Sequence, residues 1–330
     1  MFPGHTNQIV KYNLLLLLIL TGILISCGED SKEQTTTTQK PQPAFAKAPV
    51  FNEDSAFVFI EQQLAFGPRV PNSKAQEKCA QWLKGKLESY GGVVQLQSFT
   101  ARRHDGQSLK GYNVIASWAP EVKQRILLSA HWDSRHIADE TEDSRQAVPA
   151  ANDGASGVAV LLEMARNFQA NKPALGVDII FWDAEDQGQE QDEESWCLGS
   201  KYWATNPHVA GYNATMGINL DMVGGVNTWF PQEQSSVYFA GAIVNKVWET
   251  AHALGYGEFF PFHNQGAVLD DHLYVNRIAG IPMIDIIARD LNGKGFFEHW
   301  HTEVDDIQHI SKPVLKAVGQ TVTQVVYDAK

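Results

Sequence analysis

Short apolar runs that break off into acidic residues or histidine constrain this chain more than any other feature. Val177–Trp182 is followed at once by Asp183, Glu185 and Asp186, Met216–Leu220 runs into Asp221, and Arg125–Ala130 runs into His131 and Asp133. Runs this short and this apolar are typical of strands buried on both faces. Gly111–Trp118 and Ile281–Ala288 read in the same way, and Val93–Phe99 alternates as a half-buried strand does. Between them lie segments of helical spacing. Ser73–Tyr90 carries Cys79, Trp82, Leu83 and Leu87 on one face and stops at Gly91-Gly92. Ser156–Phe168 carries Val160, Leu161, Met164 and Phe168, Ala240–Gly255 follows the same period, and Pro313 opens a last helix to Tyr327. This alternation predicts an α/β three-layer sandwich, a mostly parallel central sheet flanked by helices. In such sheets ligands bind at the carboxyl ends of the strands, and that is where the acids and histidines fall.

The N-terminus is not part of that pattern. Lys11 precedes an apolar run from Leu14 to Ile25, which ends at Ser26-Cys27. A positive start, a short apolar core and small residues describe a signal peptide over residues 1–26. The run is shorter than the roughly 20 residues a bilayer span needs. Leu24-Ile25-Ser26-Cys27 resembles a bacterial lipobox, so Cys27 is expected to carry a lipid and anchor an exported lipoprotein of the bacterial cell envelope, on the periplasmic face or the outer membrane. Residues 27–49, with Thr35–Thr38, Pro41, Pro43 and Pro49, have little to bury and read as a flexible tether. Residues 50–330 then form one catalytic domain. Export permits a disulfide between Cys79 and Cys197, but the helical setting of Cys79 favours a buried free thiol. Of 330 residues, 44% are hydrophobic and 19% charged, and the formal net charge of -12 argues against a nucleic-acid partner.

Five polar segments stand at strand ends or in loops: His131-Trp132-Asp133-Ser134, Asn152-Asp153-Gly154-Ala155-Ser156-Gly157, Ala184-Glu185-Asp186, Asn219-Leu220-Asp221 and Trp300-His301-Thr302. Singly each has a plain explanation. Asn-Asp-Gly is commonly a turn or a helix cap, and a Glu-Asp pair is commonly solvated surface. Together, at strand ends, they can converge on one cleft. Adjacent carboxylates suit a metal, one ligating while the other serves as base. Histidine with carboxylates suits zinc, which keeps an open position in catalytic sites. No cysteine accompanies these segments, which disfavours a closed structural zinc site.

The first three segments resemble the zinc aminopeptidases of the M28 type. Later ones are more similar to the glutaminyl cyclases, which share that fold: Leu269-Asp270-Asp271-His272-Leu273, Gly280-Ile281-Pro282, and Trp300-His301-Thr302 followed by Asp305-Asp306. Phe66-Gly67-Pro68-Arg69-Val70-Pro71 and Phe181–Gly188 resemble the bacterial cyclases. The resemblance implies cyclisation of N-terminal glutamine to pyroglutamate with release of ammonia, on peptide or protein N-termini. It makes Asp153, Asp186 and His301 ligands of one zinc ion and Glu185 the proton shuttle, with Asp221 and Asp270 as its hydrogen-bonded neighbours. Trp300, Phe296 and Trp196 are the expected pocket residues. In the two-zinc aminopeptidases the positions of His131 and Asp221 hold a second ion with Asp153 bridging, so residue type leaves room for a second zinc and for aminopeptidase activity. For His131 a structural role, bonding a backbone group at its strand end, is expected ahead of ligation. A non-catalytic binding protein is disfavoured because every ligand position and the base are present.

Two departures stand out. Asp186 occupies a position where animal cyclases carry Glu, and the insertion Gln187–Ser195 puts Gln191 at the spacing of their pocket tryptophan, with Trp196 the nearby substitute. The remaining candidates have plainer expectations. His272 bonds locally, His299 is at the surface, His263 sits at the pocket mouth, and Asp305-Asp306 form a turn or cap the last helix. Trp132, Trp182, Trp203 and Trp248 belong to the core. Lipidation at Cys27 has a direct check: metabolic labelling with a fatty acid marks the parent and is lost in Cys27→Ala, whereas equal labelling of both removes the anchor.

Overall fold

The computed structural model describes residues 45–292 and 295–330. The signal peptide over 1–26, Cys27 and most of the tether lie outside the described residues. No helix among them is long and apolar enough to cross a membrane. The last residues assigned to the tether lie along the final helix: the backbone N–H of Ala46 donates to Asp328 Oδ1 at 2.6 Å, and Gln324 Nε2 donates to the Ala46 carbonyl at 2.9 Å.

Six strands make the central sheet: β1 (Val93–Arg102), β2 (Ser108–Trp118), β3 (Arg125–His131), β4 (Gly176–Trp182), β5 (Met216–Asp221) and β6 (Met283–Ile287), in the order β1-β2-β4-β3-β5-β6. β4, β3, β5 and β6 run parallel, and β1 and β2 form an antiparallel hairpin added to the β4 edge. From β3 the chain moves to β4 on one side and then to β5 on the other. The order reverses there, and a crevice opens beyond the carboxyl end of β3. β3 and β4 are buried along their whole length, as their apolar sequences require.

Alternate residues of these strands face different layers. Ile126, Leu128 and Ala130 of β3, with Val177, Ile179 and Phe181 of β4, join the main core. Against it pack helices α1 (Glu53–Leu64), α2 (Lys74–Ser89), α3 (Ala155–Ala170), α5 (Gln234–Ala253) and α7 (Lys312–Asp328). Leu127, Ile180 and Trp182 face a smaller core under α4 (Leu198–Thr205) and the segment after α6 (Asp271–Tyr274). Trp132, Trp182, Trp203 and Trp248 are buried as expected, and Cys79 and Cys197 are buried free thiols with no disulfide between them.

One helix, α1, was not marked in the sequence, and another, α5, starts earlier than expected. In α1 the buried positions are Ala56, Phe59, Ile60 and Gln63, a helical spacing whose last member is polar. Gln63 is tolerated there because its Nε2 donates to the carbonyls of Phe59 and Ala155. α5 begins at Gln234 rather than Ala240, because Glu233 accepts hydrogen bonds from the backbone of Ser235 and Ser236 and caps it. Ala240, the expected start, is a kink with φ -142° and ψ 37°.

The smaller layer also encloses an ion pair. Asp178 of β4 takes Arg125 Nε at 2.5 Å and Nη2 at 2.7 Å, and Arg125 also donates to the carbonyls of Trp118, Ala119, Val122 and Val177. Removing one member of such a buried pair leaves the other charge without compensation, a loss of about 3–5 kcal/mol. Asp178→Ala is therefore expected to lower the midpoint of denaturant unfolding by that equivalent, and an unchanged midpoint contradicts the role given to this pair.

Candidate active site

The crevice at the switch point is filled by side chains that the strand ends deliver. His131 closes β3, Glu185 and Asp186 follow β4, and Asp221 closes β5. Asp153 comes from the turn that starts α3, and His301 from the loop before α7. Asp153, Asp186 and His301 converge: His301 Nε2 lies 3.0 Å from Asp186 Oδ1 and 3.7 Å from Asp153 Oδ2. The other Asp153 oxygen points at a second group. His131 Nε2 is 2.9 Å from Asp153 Oδ1 and 3.2 Å from Asp221 Oδ1.

The ring of His131 thus faces carboxylates and not a backbone group. This corrects the structural role expected for it, and the reason is the sheet order, which sets the ends of β3 and β5 side by side. Five buried atoms of the two groups have no hydrogen-bond partner among the described residues: Nδ1 and Nε2 of His131, Asp153 Oδ2, Asp186 Oδ2 and Asp221 Oδ1. Buried polar atoms are almost always satisfied. Three carboxylates and one imidazole with orphaned atoms, with the ring of His301 beside them, have the donor chemistry of a divalent cation site, and Asp153 belongs to both ligand groups.

The backbone around these ligands is built to hold them. Asp305 accepts from the N–H groups of Asn152 (2.8 Å) and Asp153 (3.0 Å) and so fixes the ligand turn. It neither forms a free turn nor caps the last helix, whose cap is Ser311; Asp306 caps the short turn Ile307–His309. Arg69, fully buried, donates to the carbonyls of Pro149 (2.6 Å) and Ala150 (2.7 Å) and ties that loop to the strand end. Asp133 accepts from the N–H groups of Glu185 (3.0 Å) and Asp186 (3.2 Å) and from Gln187 Nε2 (3.0 Å), which shapes the turn after β4. Gly154 must lack a side chain, because a Cβ there would lie 2.6 Å from the His131 carbonyl oxygen. Backbone strain gathers at the same places. Ala184 before Glu185 (φ 55°), Met222 after Asp221 (φ 52°) and His301 itself (φ 57°) adopt the left-handed region that side chains disfavour.

Glu185 lies beside the ligands, and its Oε1 accepts a hydrogen bond from Cys197 Sγ at 3.3 Å. Burial pushes its carboxyl well above the usual range, and the charges of Asp186, Asp271 and Asp270 add to that while His131 opposes it. Asp270 accepts from Asn219 Nδ2 at 2.9 Å and, with Glu185 and Cys197, forms a third close group. Asp153, Glu185, Asp186, Asp221, Asp270 and His301 open onto a cavity of about 450 Å³ that also exposes Trp300, Phe296, Trp196 and Gln191. Trp300 stacks on His301 with centroids 3.6 Å apart, and Trp196 lies parallel to the same ring at 6.2 Å.

Other expectations fail for stated reasons. His272 does not bond locally but reaches Glu233 Oε2 at 3.1 Å, a contact made possible where α6 packs against the start of α5. His263 is not at the pocket mouth; it is exposed and stacks on Trp229. His299 is at the surface as expected, partly covered by the ring of His309 at 3.9 Å.

Sequence reasoning missed Asp139 and Arg135. Asp139 Oδ1 lies 3.2 Å from His301 Nδ1, and Arg135 Nη1 donates to Asp186 Oδ1 at 3.2 Å. Both stand in a loop with no motif around them. A carboxylate on the far nitrogen of a ligating histidine sets its tautomer and strengthens it as a ligand. Burial alone would lower the pKa of His301, but Asp186, Asp139 and Asp153 outweigh it and raise the value to about 9. Metal must displace that proton, so affinity falls as the pH drops below that value. Asp139→Ala is expected to weaken zinc binding about 10–100-fold in chelator competition; unchanged affinity removes Asp139 from the site.

The chain is similar to several characterised proteins. It shares 49% identity with a Bacteroides thetaiotaomicron glutaminyl cyclase solved with N-acetylhistamine, with a TM-score of 0.84 over 86% of this chain and 100% of that one. A Zn-dependent exopeptidase from Parabacteroides distasonis matches at 45% identity, again with a TM-score of 0.84 over 86% of this chain and 100% of that one. Aminopeptidase YwaD of Bacillus subtilis is 29% identical over 83% of this chain and 57% of its own length. The chain spans about three-fifths of the length of the curated relatives it matches first. The family model described as peptidase family M28 matches residues 113–326, from β2 through α7. The chain belongs to peptidase family M28.

Proposed function

We propose that this protein is a zinc-dependent glutaminyl-peptide cyclotransferase, an acyltransferase that converts N-terminal glutamine to pyroglutamate and releases ammonia. The observation that carries the reading is the placement of Glu185. It is a half-buried carboxyl within the same close group as Asp270, on the wall of an aromatic-lined cavity that also exposes Asp153, Asp186 and His301. The likeness to the Bacteroides cyclase, which extends over the whole of that chain, supports it.

Zinc held by Asp153, Asp186 and His301 supplies a Lewis acid for the side-chain amide carbonyl of the substrate. The chain's own residues do the rest. Carboxylates around the cavity attract a peptide N-terminus as a cation, and the α-amine reacts in its neutral form after giving one proton to solvent. Trp300, Phe296 and Trp196 wall the space around one side chain and limit water, so the amine folds onto its own amide carbon. As that C–N bond forms, Glu185 takes a proton from the amine. It returns the proton to the amide nitrogen as the bond to ammonia breaks. A carboxyl raised by burial and by Asp186, Asp271 and Asp270 is suited to hold a proton between the two transfers. The anchor belongs to the same proposal: an exported lipoprotein, attached through Cys27, would meet peptides in the cell envelope.

A second reading is favoured by one observation. His131, Asp153 and Asp221 make a second ligand group beside the first, the arrangement an aminopeptidase with two metal ions and an activated water would use. One experiment separates the two. Gln-initiated peptides and amino-acid arylamides are offered to the zinc-loaded chain, and ammonia and free arylamine are measured. Ammonia from the peptides, its loss in Glu185→Gln, and retention of zinc in that variant are the expected outcome. Arylamine release without cyclisation refutes the cyclotransferase.

A further inference from the structure

One cation on the cavity wall is used by none of the chemistry above. Arg289 follows β6, is half-buried, and exposes its side chain to the cavity that holds Glu185 and Asp270. Its guanidinium lies over the ring of Phe296 at 4.1 Å. Among the described residues it makes no ion pair and no side-chain hydrogen bond. Burial lowers its pKa, and the carboxylates of Asp285, Glu233 and Asp221 act on it only from farther away. Arg135, the other arginine of this cavity, is already engaged by Asp139 and Asp186. A partly desolvated guanidinium with no anion beside it is a ready site for one.

Its distance from the metal ligands is set by a ladder of stacked groups. His301 and Trp300 are 3.6 Å apart, Trp300 and Phe296 are 4.9 Å apart, and Arg289 is the next step at 4.1 Å. These steps bound the separation from above, an extended peptide advances about 3.5 Å per residue, and an acidic side chain adds its own length, so a substrate whose first residue sits at the His301 end reaches Arg289 from its second or third.

We propose that Arg289 is a specificity-determining residue that binds a carboxylate of the peptide substrate one or two residues beyond its N-terminal glutamine. The site would then be polar at both ends, with carboxylates receiving the α-amine and Arg289 receiving the anion. The inference rests on the cyclotransferase reading for the identity of the first residue. The carboxylate is either an acidic side chain or the free C-terminus of a very short peptide, and both present the same planar acceptor to the guanidinium fork.

The test uses the full-length, zinc-loaded protein in a Glu185→Gln background, so that bound peptide is not consumed, and reads Kd by calorimetry. Gln-Glu-Ala-amide is compared with Gln-Gln-Ala-amide, Gln-Ala-Glu-amide with Gln-Ala-Gln-amide, and the free acid Gln-Ala with its amide. The acidic member of at least one pair is expected to bind about tenfold tighter, the scale of a hydrogen bond to a charged group. Which pair shows it tells a side chain from a C-terminus. Arg289→Met is expected to bring the ratio to unity and Arg289→Lys to keep part of it. Equal affinities within every pair with Arg289 in place, no binding of any peptide, or a preference that survives Arg289→Met each overturn the proposal. Ammonia release by the parent is measured separately. Preference in binding without ammonia leaves the subsite standing and removes the cyclotransferase; ammonia without preference does the reverse.

Discussion

The structure turns on a group of carboxylates that the chain buries without enough positive charge to match them. Asp153, Glu185, Asp186, Asp221 and Asp270 meet around one cavity with the imidazole of His301 and the guanidinium of Arg135, His131 lies behind Asp153 and Asp221, and five buried atoms of these groups have no partner among the described residues. Water cannot easily compensate such a cluster, because an ion taken out of solvent costs several kcal/mol unless it is paired. A divalent cation removes the cost directly, neutralising the oxygens and engaging the imidazole nitrogens at once. Folding and metal binding are therefore linked, and occupancy stabilises the native state in proportion to how far free metal exceeds its Kd. The same linkage explains the support around the ligands. Asp305, Arg69 and Asp133 spend their hydrogen bonds on backbone groups of the ligand turns, so the ligands are held in place before the ion arrives.

Rigid delivery comes from the sheet. The parallel strands β3, β4 and β5 end together, and their last residues or the first residues after them carry His131, Glu185, Asp186 and Asp221. The turns after β4 and β5 adopt a left-handed backbone at Ala184 and Met222, and the loop before α7 does so at His301, none of them glycine. Such residues persist only where surrounding contacts over-determine them. Here those contacts exist: Ala184 is buried, its N–H donates to Asp183 Oδ1 at 2.9 Å, and Trp300 stacks on the ring of His301. The helix α3 sits close enough to the sheet for Gly157 to be necessary, since a Cβ there would meet the Leu220 carbonyl oxygen at 2.4 Å. Close packing at the start of α3 thus keeps Asp153 level with the ends of β3 and β5.

How much of this could be read from the residues follows from which interactions are local. The strands of the sheet and α2, α3 and α7 were legible because apolar spacing is a local signal, and their observed bounds fall within a few residues of the expected ones. His131, Glu185-Asp186 and Asp221 were legible because each sits where an apolar run ends, whereas Asp153 and His301 stand in loops and were singled out through the family resemblance. Pairing across long separations was not. His272 finds Glu233 through 39 residues of intervening chain, and Asp305 finds the Asn152 and Asp153 amides through about 150. Neither has a sequence mark that separates it from a residue bonding next door. Asp139, Arg135 and Arg289 carry no signal at all, since a single charge in a loop or after a strand is most often solvated. His131 was misjudged for a different reason. Its segment was noticed and the resemblance paired it with Asp221, but a backbone contact was expected ahead of that pairing, and the strand order sets Asp221 beside it.

The geometry also shows why one scaffold can serve either hydrolysis or cyclisation. Both reactions need a polarised carbonyl, a carboxyl that moves one proton, and an anionic wall for an α-amine. They differ in the nucleophile, which is water in one and the substrate's own amine in the other. Whether water or amine reaches the carbon first depends on how the cavity holds the first residue. Aromatic walls exclude water and compress a side chain against the ligand group, which favours the internal nucleophile. Here Trp300 is pinned by stacking on His301, and Trp196 is held by the Arg135 guanidinium 4.8 Å from its ring and by its own Nε1 donating to the Gln189 carbonyl at 3.0 Å. Arg135 in turn bonds Asp186. The wall that shapes the substrate and the carboxylate that binds the metal are thus joined through one guanidinium, so the position of the substrate is set by the same contacts that set the position of the ion.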